Sequence, residues 1–314
     1  MIEKFQAAML GFAIGDALAA PIEDTVREPP SQFEPVTFYV KPAPSHPLAH
    51  LSPGQYSDET QTMLLVARSL VEQRSFSIED LAARFADWYQ NQKLRSMWRF
   101  PGNTTYKAAR KLASGVHWTL SGFPSAGVGG VVRTLPLGLV FFRSPVFLKN
   151  AIEQSCKLSH TDPRVYGASQ AYAACIRIGL ESGDPAPDIV VAAAIDRAQS
   201  YHPEILRKLK LVKDALKMDE KLAIDTIGNT GFCLDSLACG MYMFLKSPRN
   251  FDEMIVSAAN SGGDSDAIAA IAGSLFGAFN GLGKISEKWL HQLEGAEEIK
   301  RMSCDLFRLT EKRK

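Results

Sequence analysis

Apolar residues recur at intervals of three and four positions along most of this chain, which is the pattern of helices that bury one face. The pattern predicts helices at 60–73, 78–90, 104–113, 165–180, 189–200, 232–245 and 266–279. Ser77 precedes the second of these helices, and Asp264 with Ser265 precedes the last, where hydroxyl and acidic side chains are typical N-caps. Two short runs, FEPVTFYV and PLGLVFF, are apolar enough for strands, although the second fits a buried helix equally well. The pattern therefore indicates an all-α fold.

Prolines interrupt the helical pattern in one long stretch, residues 28–53. Proline lacks a backbone N–H and pushes the preceding residue toward extended geometry, so we predict an irregular loop there. A loop of this length inside a compact domain usually serves a function. Because the informative motifs lie towards both ends of the chain and no internal repeat is evident, we predict a single domain over residues 1–314.

The composition is that of an ordinary globular protein with a sizeable core, because 46% of the 314 residues are hydrophobic and 22% are charged. The 35 Lys and Arg residues nearly cancel the 34 Asp and Glu residues, so no global field favours nucleic acid or an anionic membrane surface. The five cysteines are scattered without CxxC spacing, which argues against zinc or disulfides and favours a reducing compartment. The N-terminus carries Glu3 and Lys4, and no apolar run reaches about 18 residues. We therefore expect a cytoplasmic protein with no membrane-spanning segment.

Carboxylates are concentrated at the starts of two predicted helices. Ser57, Asp58 and Glu59 precede one apolar helix, and Asp264 and Asp266 open another. Helix capping would explain either group alone, since these side chains accept hydrogen bonds from free N–H groups. If both helix starts lie together, however, four carboxylates would repel one another unless a cation neutralised them. Oxygen ligands favour hard cations, so Mg²⁺ or Mn²⁺ is expected before Zn²⁺.

The N-terminal segment GFAIGDALAAPIED combines glycines with two acidic residues of interest. Gly11 and Gly15 have the four-residue spacing of a close helix–helix contact. Asp16 is expected to form structural hydrogen bonds, and Glu23 lies where the chain leaves the helix, a position at which an isolated glutamate is usually solvated.

A glycine-rich segment, GVGG at 127–130, offers backbone N–H groups that no side chain obstructs, an arrangement suited to phosphate oxygens. No Gly-Lys-Ser/Thr follows it, so it is not a P-loop. His160 precedes a predicted helix, where a structural histidine is the more common role. Neither feature identifies a ligand alone.

Five segments in order resemble motifs of the ADP-ribosylglycohydrolase family, which includes the dinitrogenase reductase-activating glycohydrolase. They are GDALAAPIE at 15–23, SDETQ at 57–61, GVGGVVRTLPLG at 127–138, SHTDP at 159–163 and NSGGDSDAIAAIAG at 260–273. The resemblance implies a compact orthogonal helical bundle with one or two Mg²⁺ ions in a central cleft. It also implies a hydrolase that cleaves the N- or O-glycosidic bond of an ADP-ribosylated protein or small molecule and releases ADP-ribose.

The resemblance assigns roles to residues by position. The implied metal ligands are Ser57, Asp58, Glu59, Asp264 and Asp266. Glu23 and Glu59 match positions from which a carboxylate could orient or deprotonate water. The implied ADP-ribose contacts are Gly127, Val128, Gly129, Gly130 and His160.

Three residues depart from the family motifs. Glu59 replaces an aspartate, which moves the carboxylate by about 1.5 Å, one carbon–carbon bond. Ala267 replaces a threonine and removes a hydroxyl, and Val128 replaces a common asparagine. Three hypotheses remain: an active hydrolase with a modified metal site, an ADP-ribose-binding or regulatory protein without catalysis, and a Mg²⁺-dependent hydrolase of another nucleotide-like substrate. The acceptor and the oligomeric state are not indicated by the sequence.

Overall fold

Helices make up the fold throughout the part of the chain that the computed structural model describes, residues 1–23, 35–94 and 97–311, and this part contains no strand. The α-helices in these ranges are α1 (Ile2–Ala19), α2 (Asp58–Gln73), α3 (Ile78–Asn91), α4 (Asn103–Ala113), α5 (Trp118–Ser121), α6 (Gly129–Val132), α7 (Leu135–Phe141), α8 (Pro145–Lys157), α9 (Pro163–Glu181), α10 (Pro187–Ala198), α11 (Pro203–Ala215), α12 (Glu220–Ile227), α13 (Cys233–Lys246), α14 (Phe251–Ala259), α15 (Ser265–Asn280), α16 (Glu287–His291) and α17 (Ala296–Glu311). The all-α prediction is confirmed, and each of the seven predicted helices begins and ends within two residues of its expected position.

Helices α1 and α15 form the centre of the core, packed antiparallel with their backbones in contact. A Cβ atom added at Gly11 would lie 2.3 Å from the carbonyl oxygen of Gly273, and one added at Gly15 would lie 2.2 Å from that of Ala269. Only glycine permits this approach, so the predicted close packing of Gly11 and Gly15 is confirmed. The antiparallel arrangement brings the end of α1 beside the start of α15.

Helix α1 and the turn that follows it form a long apolar segment at the N-terminal end of the fold. The segment Ile2–Ile22 is long and apolar enough by composition to cross a membrane, but 94% of its apolar window is buried inside the protein. The apolar surface of α1 packs against α14, α15 and α17. Its composition therefore fits a core helix.

The proline-rich segment forms an irregular loop in its described part, as predicted. Residues 35–53 of the predicted loop are irregular, and 28–34 lie outside the described ranges, as does most of the EKRK tail. The loop is packed against the core, since the Tyr39 hydroxyl donates to the Trp289 carbonyl (2.9 Å) and the Val36 N–H donates to Asn260 Oδ1 (2.9 Å). PLGLVFF lies in α7, and residues 35–40 of FEPVTFYV form no strand. All five cysteines are free and four are buried.

Candidate active site

A cleft of about 350 Å³ lies where the end of α1 and the starts of α2 and α15 face the glycine segment before α6. Its lining includes most of the predicted site residues: Glu23, Asp58, Glu59, Gly127, Val128, Gly129, His160, Asp264 and Asp266. Two predicted residues do not line it. Ser57 is buried directly behind the acidic residues, and Gly130 packs against Val165, where an added Cβ would lie 2.5 Å from a side-chain carbon.

Asp16 fixes the start of α2 next to α1. Its carboxylate accepts hydrogen bonds from the N–H groups of Ser57 (2.9 Å) and Thr60 (2.8 Å) and from the Thr60 hydroxyl (2.6 Å). The residue is fully buried, so these three bonds offset the loss of hydration. The expectation that Asp16 has a structural role is confirmed.

Ser57 connects the start of α2 to the start of α15. Its hydroxyl oxygen accepts the Glu59 N–H (3.1 Å), which makes it the N-cap of α2, and the same hydroxyl donates to Asp266 Oδ2 (3.2 Å). Asp58 accepts the Gly102 N–H (3.3 Å). Ser57 is thus an N-cap, as the capping alternative predicted. The same hydroxyl is also oriented toward the Asp266 carboxylate of α15.

Asp264 occupies the N-cap position of α15, but its side chain makes no capping hydrogen bond there. The prediction that Asp264 caps the helix through its side chain is therefore wrong. Its carboxylate instead accepts the Ser236 hydroxyl (2.7 Å), while its N–H donates to the Asn229 carbonyl (2.8 Å). Gly262 and Gly263 have φ values of 71° and 60°, and this left-handed backbone turns the chain so that Asp264 faces the cleft rather than its own helix.

The acidic wall of the cleft consists of Glu23, Asp58, Glu59, Asp264 and Asp266. One carboxylate oxygen from each of Glu23, Asp264 and Asp266 lies within 4.8 Å of the other two. Burial raises the pKa of Asp58, Glu59 and Asp266 well above the usual values, and the negative charges of neighbouring carboxylates raise each pKa further. No described Lys or Arg side chain forms an ion pair with Asp58, Glu59 or Asp266.

The donors of the acidic wall fit a hard divalent cation, because they are all oxygens and their mutual repulsion would fall when a cation bound. The most compact group differs from the predicted ligand set: Glu23 joins Asp264 and Asp266, whereas Asp58 and Glu59 line the same cleft outside that group of three. The sequence predicted Glu23 as a catalytic carboxylate and not as a metal ligand.

A second part of the lining, the glycine wall, consists of Gly127, Val128, Gly129 and His160. A Cβ at Gly127 would lie 3.3 Å from His160 Nε2, and one at Gly129 would lie 2.7 Å from Thr105 Oγ1. Glycine therefore lets the imidazole and Thr105 approach the backbone closely. Burial and the positive charge of Arg133 lower the pKa of His160 to about 3, so the ring is neutral at physiological pH.

Two features of the site were missed from the sequence. Residues 100–105 line the cleft between the two walls, and Phe100 has a φ of 57°, a left-handed conformation that is rare for an aromatic residue. The dipeptide Pro101-Gly102 was the available signal for a turn at this place. The second feature is Arg133, which is fully buried behind the glycine wall. The sequence placed it within a motif but indicated no role for it, although a single arginine in the apolar run VVRTLPLG is unusual.

The sequence of this chain is similar to those of several known proteins. A family model described as ADP-ribosylglycohydrolase matches residues 1–314. An uncharacterized protein of Archaeoglobus fulgidus is 30% identical over 98% of this chain and 97% of its own length. The ADP-ribosylarginine hydrolase Tri1 of Pseudomonas putida is 26% identical over 98% of this chain and 78% of its own. The ADP-ribosyl-[dinitrogen reductase] glycohydrolase of Rhodospirillum rubrum is 23% identical, covering 93% of this chain and 90% of its own.

The solved structure of an ADP-ribosylglycohydrolase-related protein complex is similar to this fold. The TM-score is 0.81 at 27% sequence identity, and the match covers 98% of both chains. The match therefore extends over nearly the whole of both chains.

Proposed function

The chain belongs to the ADP-ribosylglycohydrolase family, whose members are glycosidic hydrolases, and from this we propose that it is a Mg²⁺-dependent hydrolase that releases ADP-ribose from a modified protein or small molecule. The observation that carries the proposal is the acidic wall, in which three carboxylate oxygens approach within 4.8 Å without a described cationic partner for Asp266. Asp266 is buried and the other two carboxylates are partly exposed, and carboxylates this close together repel one another unless a cation neutralises them.

Glu23, Asp264 and Asp266 would hold the cation, with Asp58, Glu59 and Ser57 as further candidates. A bound divalent cation supplies positive charge that offsets the carboxylates and makes a nearby water easier to deprotonate. Mg²⁺ is the first candidate and Mn²⁺ the second, because both prefer oxygen ligands.

The reaction breaks the bond between the anomeric carbon of the distal ribose and a nitrogen or oxygen of the acceptor. Positive charge develops at that carbon, as in other glycoside hydrolysis, and the carboxylates of the acidic wall would stabilise it. A water molecule adds its oxygen to the carbon and gives one proton to a carboxylate, and that carboxylate passes a proton to the leaving nitrogen or oxygen of the acceptor. Glu59 and Glu23 are the candidate bases, because both line the cleft.

The glycine wall would bind the diphosphate of the substrate. Gly127 and Gly129 leave the backbone accessible, and His160 lines the same side of the cleft. Contacts to the diphosphate lie away from the reacting carbon, and such binding energy can hold the distal ribose in position for the reaction. A cleft of about 350 Å³ lies within the usual size range for small-molecule sites.

Arginine is the first acceptor to test. The Tri1 relatives of Pseudomonas putida and Serratia proteamaculans are both named ADP-ribosylarginine hydrolases, at 26% identity each. Serine-linked, nucleic-acid-linked and small-molecule ADP-ribose adducts are the further substrates to compare.

Isothermal titration of the metal-stripped protein with Mg²⁺ and then ADP-ribose tests the proposal. We expect saturable Mg²⁺ binding and metal-dependent ADP-ribose binding, both lost in Asp264→Ala. Asp305→Ala is the control, because Asp305 is an acidic residue on α17 that does not line the cleft and pairs with Arg308. Absence of Mg²⁺ binding to the wild type would contradict the metal assignment.

Product analysis then separates the hydrolase from its alternatives. Release of intact ADP-ribose from ADP-ribosylarginine supports the proposal, whereas release of AMP or phosphate indicates a hydrolase of another bond. ADP-ribose binding without turnover of any adduct would favour a regulatory protein. The specific observation behind that last alternative is Ala267, which is fully buried at the start of α15 and has no hydroxyl to offer.

A further inference from the structure

Arg133 lies behind the glycine wall with its charge enclosed by the protein. Its side chain is fully buried, and its guanidinium donates to the carbonyls of Gly129 (2.6 Å) and Ser155 (2.8 Å) and to the Ser159 hydroxyl oxygen (2.5 Å). A guanidinium has only donors, so the Ser159 oxygen can only accept in this contact. The direction of the first hydrogen bond in the series is therefore fixed.

The direction of the next hydrogen bond follows from the single proton of the Ser159 hydroxyl. Ser159 Oγ lies 2.7 Å from His160 Nδ1, and its other hydrogen-bond partner is Arg133. If Nδ1 carried a proton and donated, the serine proton would be buried without an acceptor, an arrangement that costs free energy. The serine hydroxyl therefore donates to Nδ1, and Nδ1 has no proton.

A neutral imidazole without a proton on Nδ1 carries it on Nε2. Nε2 is the ring atom that faces the glycine segment, since a Cβ at Gly127 would lie 3.3 Å from it. His160 lines the cleft, and its hydrogen bonds within the described ranges involve Nδ1 and its backbone, not Nε2. The Nε2–H group is thus a donor that is available to a ligand.

We infer that Arg133 and Ser159 are positioning residues, which hold His160 as the Nε2–H tautomer so that it donates a hydrogen bond to a phosphate oxygen of the substrate. The identity of the ligand atom rests on the proposed function, but the tautomer does not. The assignment gives the buried arginine a role, although it forms no ion pair with a described carboxylate. It also makes His160 a neutral donor rather than a cation or a general base.

The low pKa of His160 is consistent with this arrangement, because burial and the Arg133 charge both disfavour a second ring proton. A neutral donor of fixed direction can bind a phosphate oxygen without changing its charge over the physiological pH range. Because the contact lies away from the reacting carbon, removal of the donor is expected to raise KM more than it lowers kcat.

NMR of the ligand-free protein labelled with ¹⁵N-histidine tests the tautomer directly. The chain has six histidines, and His160→Gln identifies the resonances of His160 by their loss. We expect a protonated Nε2 and an unprotonated Nδ1 that accepts a hydrogen bond. A protonated Nδ1 would overturn the inference, whatever the protein binds.

Ser159→Ala tests the role of the serine. We expect the Nδ1 resonance to move when its donor is lost and Ser159→Thr to restore it. Ser121→Ala is a matched control, because Ser121 is equally buried but its hydroxyl donates to the Leu158 carbonyl (2.7 Å) instead of to His160. An unchanged Nδ1 resonance in Ser159→Ala would show that Ser159 does not hold the ring.

Titration with ADP-ribose in the presence of Mg²⁺ tests the ligand contact. An amide in His160→Gln lies near the position of Nε2, whereas in His160→Asn it lies near that of Nδ1. We therefore expect affinity close to wild type for glutamine and a loss of about tenfold or more for asparagine. Equal losses would contradict donation from Nε2. If wild type does not bind ADP-ribose while the spectra show the expected tautomer, the proposed function fails and the positioning role stands.

Discussion

Both walls of the cleft bury charge, but they do so in different surroundings. On the acidic wall, the pKa values of Asp58, Glu59 and Asp266 are raised by burial and by one another, and no described Lys or Arg forms an ion pair with them. Behind the glycine wall, Arg133 is equally buried, yet the carbonyls of Gly129, Ser155 and Cys156 and the Ser159 hydroxyl accept hydrogen bonds from its two terminal nitrogens. Protein oxygens therefore surround the end of the guanidinium, and only its Nε has no hydrogen-bond partner among the described residues.

The difference indicates how each wall contributes to binding. Buried charges without a partner cost stability until a ligand neutralises them, so the acidic wall is suited to a cation. The terminal nitrogens of Arg133 already donate to protein oxygens, so Arg133 can orient other groups and leave the neutral Nε2–H of His160 to face the cleft. A substrate that carries a diphosphate at one end and develops positive charge at the other would match both walls.

Replacing Asp266 with asparagine is expected to have the largest effect. Loss of groups that only orient a metal ligand costs about 10- to 100-fold, so removal of a direct ligand charge should lower turnover by more than about a hundredfold. Without metal, however, Asp266→Asn should unfold at a higher temperature than wild type, because one of several repelling carboxylates is gone. Thermal unfolding in EDTA measures the expected rise in unfolding temperature. Thermal unfolding in Mg²⁺ measures how much of the metal-dependent stabilisation is lost.

Asp235→Asn is the matched control for that prediction. Asp235 is also a buried aspartate in a helix, but it pairs with Lys208 at 2.6 Å and accepts the Thr230 hydroxyl. Its replacement strands the lysine, so we expect a loss of roughly 2–3 kcal/mol in unfolding free energy. If both variants were destabilised without metal, the acidic wall would not be a site of uncompensated charge.

The glycine wall gives the next prediction, which concerns pH. An unfolded histidine titrates near 6.5 and His160 titrates near 3 in the fold, so between these values the unfolded state binds more protons and stability rises with pH. As the pH falls from 7 to 5, wild type should lose about 2 kcal/mol of unfolding free energy relative to His160→Gln. Urea denaturation at both pH values measures the difference, and parallel losses in the two proteins would contradict a buried neutral ring.

The same contrast explains how much of the fold could be predicted from the sequence. Helices such as α2 and α15 were predicted within two residues because their apolar periodicity is a local property. The amphipathic helix α17 was not predicted, although Ile299, Leu306 and Leu309 follow the same periodicity, so its signal was present in the sequence. The four-residue helices α5 and α6 are too short to show a period at all.

Prediction of the site was limited by contacts between distant segments. Four carboxylates of the acidic wall could be predicted to lie together, since Asp58, Glu59, Asp264 and Asp266 lie in recognisable motifs at two helix starts. The series from Arg133 through Ser159 to His160 could not, because hydrogen-bond direction depends on side chains brought together by folding. The lack of a side-chain cap at Asp264 likewise depends on the contact of its carboxylate with the Ser236 hydroxyl, which joins residues 28 positions apart in the chain.

Glu59→Asp is the smallest expected change and concerns the fine geometry of the acidic wall. Aspartate is the residue of the family motif, and it shortens the side chain by about 1.5 Å. Mg²⁺ accepts little deviation from octahedral geometry, so we expect Glu59→Asp to bind Mg²⁺ about threefold more tightly, or to bind a second ion that wild type does not. Isothermal titration gives both the affinity and the number of ions.

Glu59→Gln separates geometry from charge in the same measurement. Glutamine keeps the length of glutamate but removes its charge, so it should weaken Mg²⁺ binding if Glu59 is a ligand. A weaker affinity in Glu59→Asp as well would mean that the acidic wall is adapted to the longer side chain, with Glu59 reaching a position that aspartate cannot. In that case Glu59 would be part of this site's own geometry, and the aspartate of the family motif would not improve Mg²⁺ binding.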